Sequence, residues 1–301
     1  PLNRARMADY LGFAGIVDNA YDAGQISSTE QPVEVASIVT SIALHAGAFI
    51  EDVMTQYAQP RPWILLQEGG GNTYVSSAMP QKRNPGLLND TRQSASTAVT
   101  LAMGPVIQAH NITPGMGDAK DVRQNGEMIE SAVTVLAEWN EVLGALVINP
   151  DRALEELNSD WTASQEIADV LMRKYKLPFR AGHHFASEVV DYAKANNIKP
   201  SDFPYAEAQK IYAVSAGEMG LPPGDLPMSE VEFRETLDPI AIIRNRATVG
   251  GPQPAEMTRM LDAADKALGE QDAWIAARRE HIDTALGRLD ADFDKLLASG
   301  G

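Results

Sequence analysis

Val33–Tyr57 reads VEVASIVTSIALHAGAFIEDVMTQY. Its apolar residues Val35, Ile38, Val39, Ile42, Ala46, Phe49, Ile50 and Val53 recur three and four positions apart. That spacing lays them along one face of an α-helix and excludes the alternation of a strand. Gly69-Gly70-Gly71 then breaks the pattern and opens a loop that runs to about Arg83. Asn84-Pro85 predicts the next helix start, with Asn84 as N-cap and Pro85 in the first helical position. This helix is expected to reach about Gln108, with a kink at Gly104-Pro105. A Gly/Pro loop, Thr113–Gly117, separates it from a third long helix at about Asp121–Val147. Long apolar helices joined by loops describe a bundle.

Asn149-Pro150 marks the best boundary. Beyond it the helical stretches shorten, to about Pro150–Leu157, Thr162–Tyr175, Phe179–Ala195 and Tyr205–Tyr212, and proline-rich Leu221–Pro227 interrupts them. The last segment changes again: Leu261, Leu268, Ile275, Ile282, Leu289 and Leu296 recur every seven residues, which predicts one long helix with a narrow apolar seam used for packing. Gln271 and Arg278 at the complementary heptad positions argue against a pure coiled coil. No strand alternation or solenoid-length repeat is found. The expected fold is all-α: a helical bundle over 1–149 carrying the loop, a small helical domain over 150–250, and a terminal helix over 251–301.

The chain has 301 residues, 44% of them hydrophobic, and no cysteine. The length supports a sizeable core, and the missing thiols exclude disulfides and thiolate metal sites. The net charge of −16 is spread over both halves. A chain without a basic face is not expected to bind nucleic acid. No apolar run of membrane-spanning length and no signal peptide is read, so no membrane is expected and the expected location is cytoplasmic.

The chemistry concentrates in Ser76-Ser77-Ala78-Met79-Pro80-Gln81-Lys82-Arg83-Asn84-Pro85. Two serines follow a triple glycine, a cation lies six residues after the first serine, and a helix begins just beyond. A helix N-terminus and a lysine ammonium both suit a carboxylate, and flanking glycines suit a loop that closes over it. Taken as composition alone, the same stretch also fits an ordinary helix start behind a solvated loop.

This loop resembles the signature of the fumarase/aspartase superfamily, whose members release fumarate by β-elimination. Further segments resemble its argininosuccinate lyase branch: Asp18-Asn19-Ala20-Tyr21-Asp22-Ala23, Ala163–Asp169, Leu177-Pro178-Phe179-Arg180-Ala181-Gly182-His183-His184, and Leu237-Asp238-Pro239 with Gly250-Gly251. The similarity covers about residues 1–252. It implies that Ser76 is the general base that takes the Cβ proton, that Lys82 and Asn84 hold the resulting aci-carboxylate, and that Ser77 shapes the loop and contacts a carboxylate. It implies a dicarboxylate substrate, an N-substituted aspartate such as argininosuccinate or an aminopolycarboxylate. It also implies a homotetramer and a reaction without cofactor or metal. A catalytically inactive structural relative is the alternative.

The sequence differs from the family pattern at three places. Val75 stands where glycine usually precedes the serines. Asn89 stands where a glutamate usually pairs with a histidine of another subunit. His110–Lys120 replaces a Tyr…Gln…Lys segment with altered spacing, and leaves His110 and Lys120 as binding candidates. His45 reads as a core histidine, His183 and His184 as structural hydrogen-bonding groups, and His281 as a surface residue. The family site is assembled from three regions of three subunits, and only one of these is recognised here; a start at Pro1 reads as the middle of a protein. The isolated 301-residue chain is therefore expected to form no fumarate from argininosuccinate in an ultraviolet absorbance assay, and turnover by it would refute that expectation.

Overall fold

The computed structural model describes residues 2–110, 112 and 123–299, apart from the side chains of 25–28. The chain divides into two units, Pro1–Asn149 with Ala276–Gly301, and Pro150–Ile275.

The first unit opens with α1 (Arg4–Tyr10), capped by the Asn3 side chain, which accepts the Arg6 N–H at 3.0 Å. A π-turn at Asp22–Ile26 leads into α2 (Ser27–Tyr57). Strand β1 (Ile64–Leu66) and the short strands β2 (Tyr74–Val75) and β3 (Arg83–Asn84) follow, then α3 (Gly86–Ala109), α4 (Arg123–Ala145) and β4 (Leu146–Ile148). Helices α2, α3 and α4 meet through small side chains: Ala36, Ala43 and Ala46 face Ala95, Ala98, Ala102 and Ala132, with Val39, Met128 and Val135 between them. At one end of the bundle a second cluster joins Ile50, Val53, Leu87, Leu88, Val142 and Ala145 to Leu66. There β1 pairs antiparallel with β4, Leu65 opposite Val147. Asn149 N–H to the Trp63 carbonyl (2.7 Å) and Gln67 N–H to the Ala145 carbonyl (2.8 Å) extend the pairing at both ends.

The second unit contains α5 (Pro150–Ser159), a 3₁₀ turn at Thr162–Ser164, α6 (Gln165–Tyr175), α7 (Phe179–Ala195), α8 (Tyr205–Glu218), α9 (Glu230–Glu235) and α10 (Pro239–Asn245). Lys176 ends α6 in the left-handed conformation (φ 60°), and Leu177 N–H reaches back to the Leu171 carbonyl. Pro178 then prevents continuation and admits α7. Phe203 is fully buried against Trp161, Tyr192 and Phe233, with ring centroids 5.6, 5.8 and 6.0 Å away. Glu166, nearly buried, is neutralised by Arg173 and by Arg246 at 2.7 Å. Helix α9 starts with a full capping box between Ser229 and Glu232.

Helix α11 (Pro254–Ser299) is one continuous helix, as the heptad predicts, and is divided between the two units. Its seam is not packed in the single chain: Leu261, Leu268, Ile275, Ile282 and Leu296 are exposed, and Ala285 is the buried residue. Within the first unit α1 holds the later part of α11. The Tyr10 hydroxyl donates to Asp292 at 2.8 Å, and Arg288 pairs with Asp9 at 2.7 Å. Gly12, at φ +72°, comes so close to Ala285 that a Cβ there would lie 3.3 Å from it.

Several expectations are corrected. Asn84 is not an N-cap: Pro85 occupies that position without a side-chain bond, and Asn84 lies in β3 opposite Tyr74. Helix α4 stops at Ala145 because the next three residues pair with β1. Helix α8 continues to Glu218. His45 is exposed, its ring nitrogen 2.7 Å from the Ser41 carbonyl, so it is not a core residue. Thr29–Tyr57 is, by length and composition, apolar enough to cross a membrane, contrary to the sequence reading. Its buried residues form the bundle core with α3 and α4, which accounts for that apolarity.

Two substitutions test the second unit. A Cβ on Gly182 would lie 2.9 Å from the Ala168 backbone, so Gly182→Ala forces α6 and α7 apart at a cost of about 1–3 kcal/mol. Phe203→Ala is expected to cost about 3–5 kcal/mol. Both are read from urea unfolding transitions, and an unchanged midpoint for either variant would contradict this packing.

A candidate active-site cleft beside the serine hairpin

Gly69, Gly70 and Gly71 all have positive φ, at +87°, +62° and +90°. L side chains rarely adopt that conformation, so the triple glycine is required for the chain to reverse here. Asn72 then fastens the turn: its N–H donates to the Gly69 carbonyl, its amide to the Gln67 carbonyl at 3.1 Å, and its own carbonyl accepts the Leu87 N–H. The loop is thereby tied to the first turn of α3. Gly86 faces the Tyr74 ring, which would lie 3.2 Å from a Cβ. Strand β2 pairs with β3, Tyr74 opposite Asn84 and Val75 opposite Arg83.

Ser76 closes this hairpin. Its N–H donates to the Lys82 carbonyl at 3.2 Å, and Lys82 N–H donates to the Met79 carbonyl at 3.0 Å. The Ser76 Oγ accepts the N–H groups of Ala78 (3.3 Å) and Met79 (3.2 Å). Two donors on one hydroxyl oxygen favour negative charge there. Arg83 braces the loop from below: its Nε donates to Glu68 at 3.0 Å and its Nη1 to the Pro80 carbonyl at 2.9 Å.

A cleft of ≈ 800 Å³ lies between the end of α2, β1 and this hairpin. Tyr57, Gln59, Glu68, Lys82, Asn84 and Asn89 are among the residues that line it. The structure thus brings Lys82 and Asn84 together with Asn89. Lys82 is exposed and has no ion-pair partner among the described residues. Ser76 and Ser77 do not line the cleft: Ser77 is exposed, and the Ser76 hydroxyl is turned to its own loop. His110 caps the far end of α3. At ~1.5 Å per residue that helix carries it more than 30 Å from Asn84, so the two cannot reach one small ligand within a single chain. Lys120 lies outside the described residues. In the second unit His184 pairs with Glu218 at 2.8 Å and His183 stands against Phe179, both structural contacts. Among the described residues no group of three histidine or carboxylate side chains is placed to hold a metal ion.

Tyr57 went unnoticed in the sequence, where it is one more residue on an apolar helix. Its hydroxyl accepts the Leu66 N–H at 2.7 Å and so fixes β1 to the end of α2. Burial pushes the phenol pKa above its usual value, the Leu66 bond opposes this, and the Glu68 charge adds to the rise.

Residues 161–244 match the model of the argininosuccinate lyase C-terminal family. Over 294 residues the chain is 26% identical to argininosuccinate lyase of Methanosarcina acetivorans, covering 96% of this chain and 56% of that protein. Argininosuccinate lyase 2 of Agrobacterium fabrum is 28% identical over 305 residues, 98% of this chain and 57% of its own length. The chain is thus similar to argininosuccinate lyases, through its C-terminal segment and along most of its length. It spans a little more than half the length of these relatives. The fold agrees with that of an EDDS lyase variant with bound fumarate, with a TM-score of 0.84 at 21% identity, over 99% of this chain and 58% of that one.

The brace that Arg83 puts on the loop can be tested directly. Removing the guanidinium in Arg83→Met leaves Pro80 and Glu68 without their donor. The amide exchange of Ala78 and Met79 should then quicken about fivefold, the effect of one modest hydrogen bond, while α3 stays as protected as before. Unchanged loop exchange would show that Arg83 does not hold this loop.

Proposed function

We propose that this chain carries the base-bearing loop of a C–N lyase that cleaves an N-substituted aspartate, argininosuccinate or a similar compound, to fumarate and an amine. The observation that carries the reading is the environment of Ser76. Its oxygen already accepts two backbone N–H groups, and the hairpin it closes presents Lys82 and Asn84 to a cleft. A serine hydroxyl is a poor base unless its anion is stabilised, and these donors together with the Lys82 charge supply that stabilisation.

In the reaction the Ser76 alkoxide takes a proton from Cβ of the aspartate moiety. The electron pair moves into the adjacent carboxylate, which Lys82 and Asn84 hold as it gains charge. Collapse of this aci-carboxylate forms the C=C bond and expels the nitrogen, which leaves with its electron pair and takes up a proton. For the first step the hairpin has to carry Ser76, with its two N–H donors, toward the cleft. A hairpin hung from three glycines can supply that movement.

A homotetramer in the cytoplasm accompanies this reading. The bundle leaves Ile38, Leu44, Ile107, Ile129 and Val133 exposed, an apolar face that suits further copies of the chain. Assembly also gives His110 a role, because only another copy's α3 can bring it beside Lys82. A specific observation favours a second substrate within the same reaction. Glu68, the carboxylate among the cleft residues named above, is engaged by Arg83, so among the described residues the cleft offers donors to a carboxylate-bearing amine and no free acid to a guanidinium. An aminopolycarboxylate therefore stands beside argininosuccinate.

The reading frame that contains these residues, expressed in its full extent, is tested for fumarate formation from both kinds of substrate. Ser76→Ala is expected to lower the rate at least ~100-fold, the weight of a general base. A variant that keeps its rate would remove Ser76 from the mechanism.

A further inference from the structure

The Tyr57 hydroxyl has one hydrogen to give and lone pairs to accept with. One acceptor position is filled by the Leu66 N–H at 2.7 Å, and this bond sets the direction of the phenol. The hydroxyl's own hydrogen has no acceptor among the described residues. Glu68 is close enough to raise the phenol pKa, but its hydrogen bond is to Arg83. Tyr57, at the end of α2, also lines the cleft that Lys82 and Asn84 of the hairpin line. A phenol fixed by a backbone amide, with its proton uncommitted, at the lining of a cleft, is a positioned neutral donor.

We propose that Tyr57 is a ligand-binding residue of this cleft, and that its O–H donates to a carboxylate oxygen of the dicarboxylate held by Lys82 and Asn84. The inference rests on the reading of the cleft as a dicarboxylate site. Lys82 supplies charge on a flexible stem, Asn84 an amide set by its strand, and Tyr57 a donor set by β1. Three donors from two separate elements, α2 and the hairpin, fix a planar ligand more narrowly than the hairpin does by itself.

The test separates donating from accepting. Fumarate is titrated calorimetrically into the full chain with tyrosine, phenylalanine (Tyr57→Phe) or 3,5-difluorotyrosine at position 57. Tyr57→Phe should weaken fumarate about tenfold, the cost of one hydrogen bond to a charged group. Ring fluorines lower the phenol pKa, so the difluorotyrosine chain should lose affinity as pH rises through that lowered value, while the unsubstituted chain holds. In the difluorotyrosine chain slow exchange of the Leu66 N–H should persist at every pH, because a phenolate still accepts that bond. The proposal is overturned if Tyr57→Phe binds as tightly as the parent chain, or if the difluorotyrosine chain follows the parent at every pH. Either result leaves the dicarboxylate reading standing. A parent chain without affinity for fumarate overturns that reading, and Tyr57's role with it.

Discussion

The alanine-lined contact between α2, α3 and α4 sets everything else in the first unit. Where helices meet through methyl groups their backbones approach closely, and the available positions become few. Ala43, Ala46, Ala98 and Ala102 are at most 2% exposed, so a larger side chain at any of them would have no space to enter. The larger residues are kept for the end of the bundle, where Ile50, Val53, Leu88 and Val142 fill the space beneath β1 and β4. That end holds the end of α2, with Tyr57, and the start of α3, from which the hairpin hangs. The cleft is the gap between them.

The hairpin divides its labour. Three glycines let the chain reverse, Asn72 fastens the reversal to α3, and Arg83 ties the tip to Glu68. Ser76 rests against its own loop N–H groups while Lys82 and Asn84 face the cleft. In the proposed reaction the base is thus polarised before it reaches a substrate, and Lys82 and Asn84 already line the cleft. The long separation of His110 from this site along α3 has a physical consequence. One copy of the chain can supply only one corner of a site that uses both, which makes assembly part of the proposed chemistry as well as of the packing.

Most of the helices could be read in advance because their signal is local. Phe179–Ala195 has its proline before it and a regular apolar face, and α11 repeats its seam every seven residues. The strands could not be read: they are two or three residues long, and β1 finds its partner some 80 residues away. That pairing is also why α4 ends early. Asn84 carried a good capping signal, but the strand pairing with Tyr74 claimed its backbone and moved the helix start to Gly86. His45 looked like a core residue because its neighbours are apolar; its position on the helix points it outward. Of the site, Ser76, Lys82 and Asn84 were legible from the order of residue types in one loop. Tyr57 was not, because its value comes from a bond to Leu66 that only the folded chain makes.

The central claim is that the Ser76–Pro85 hairpin presents a dicarboxylate site. The most direct measurement is a crystal structure of the protein soaked with fumarate. The account predicts fumarate density in the cleft, with one carboxylate within hydrogen-bonding distance of the Lys82 Nζ and the Asn84 side-chain amide. An ordered hairpin over an empty cleft at saturating fumarate, or fumarate bound elsewhere on the bundle, would contradict it.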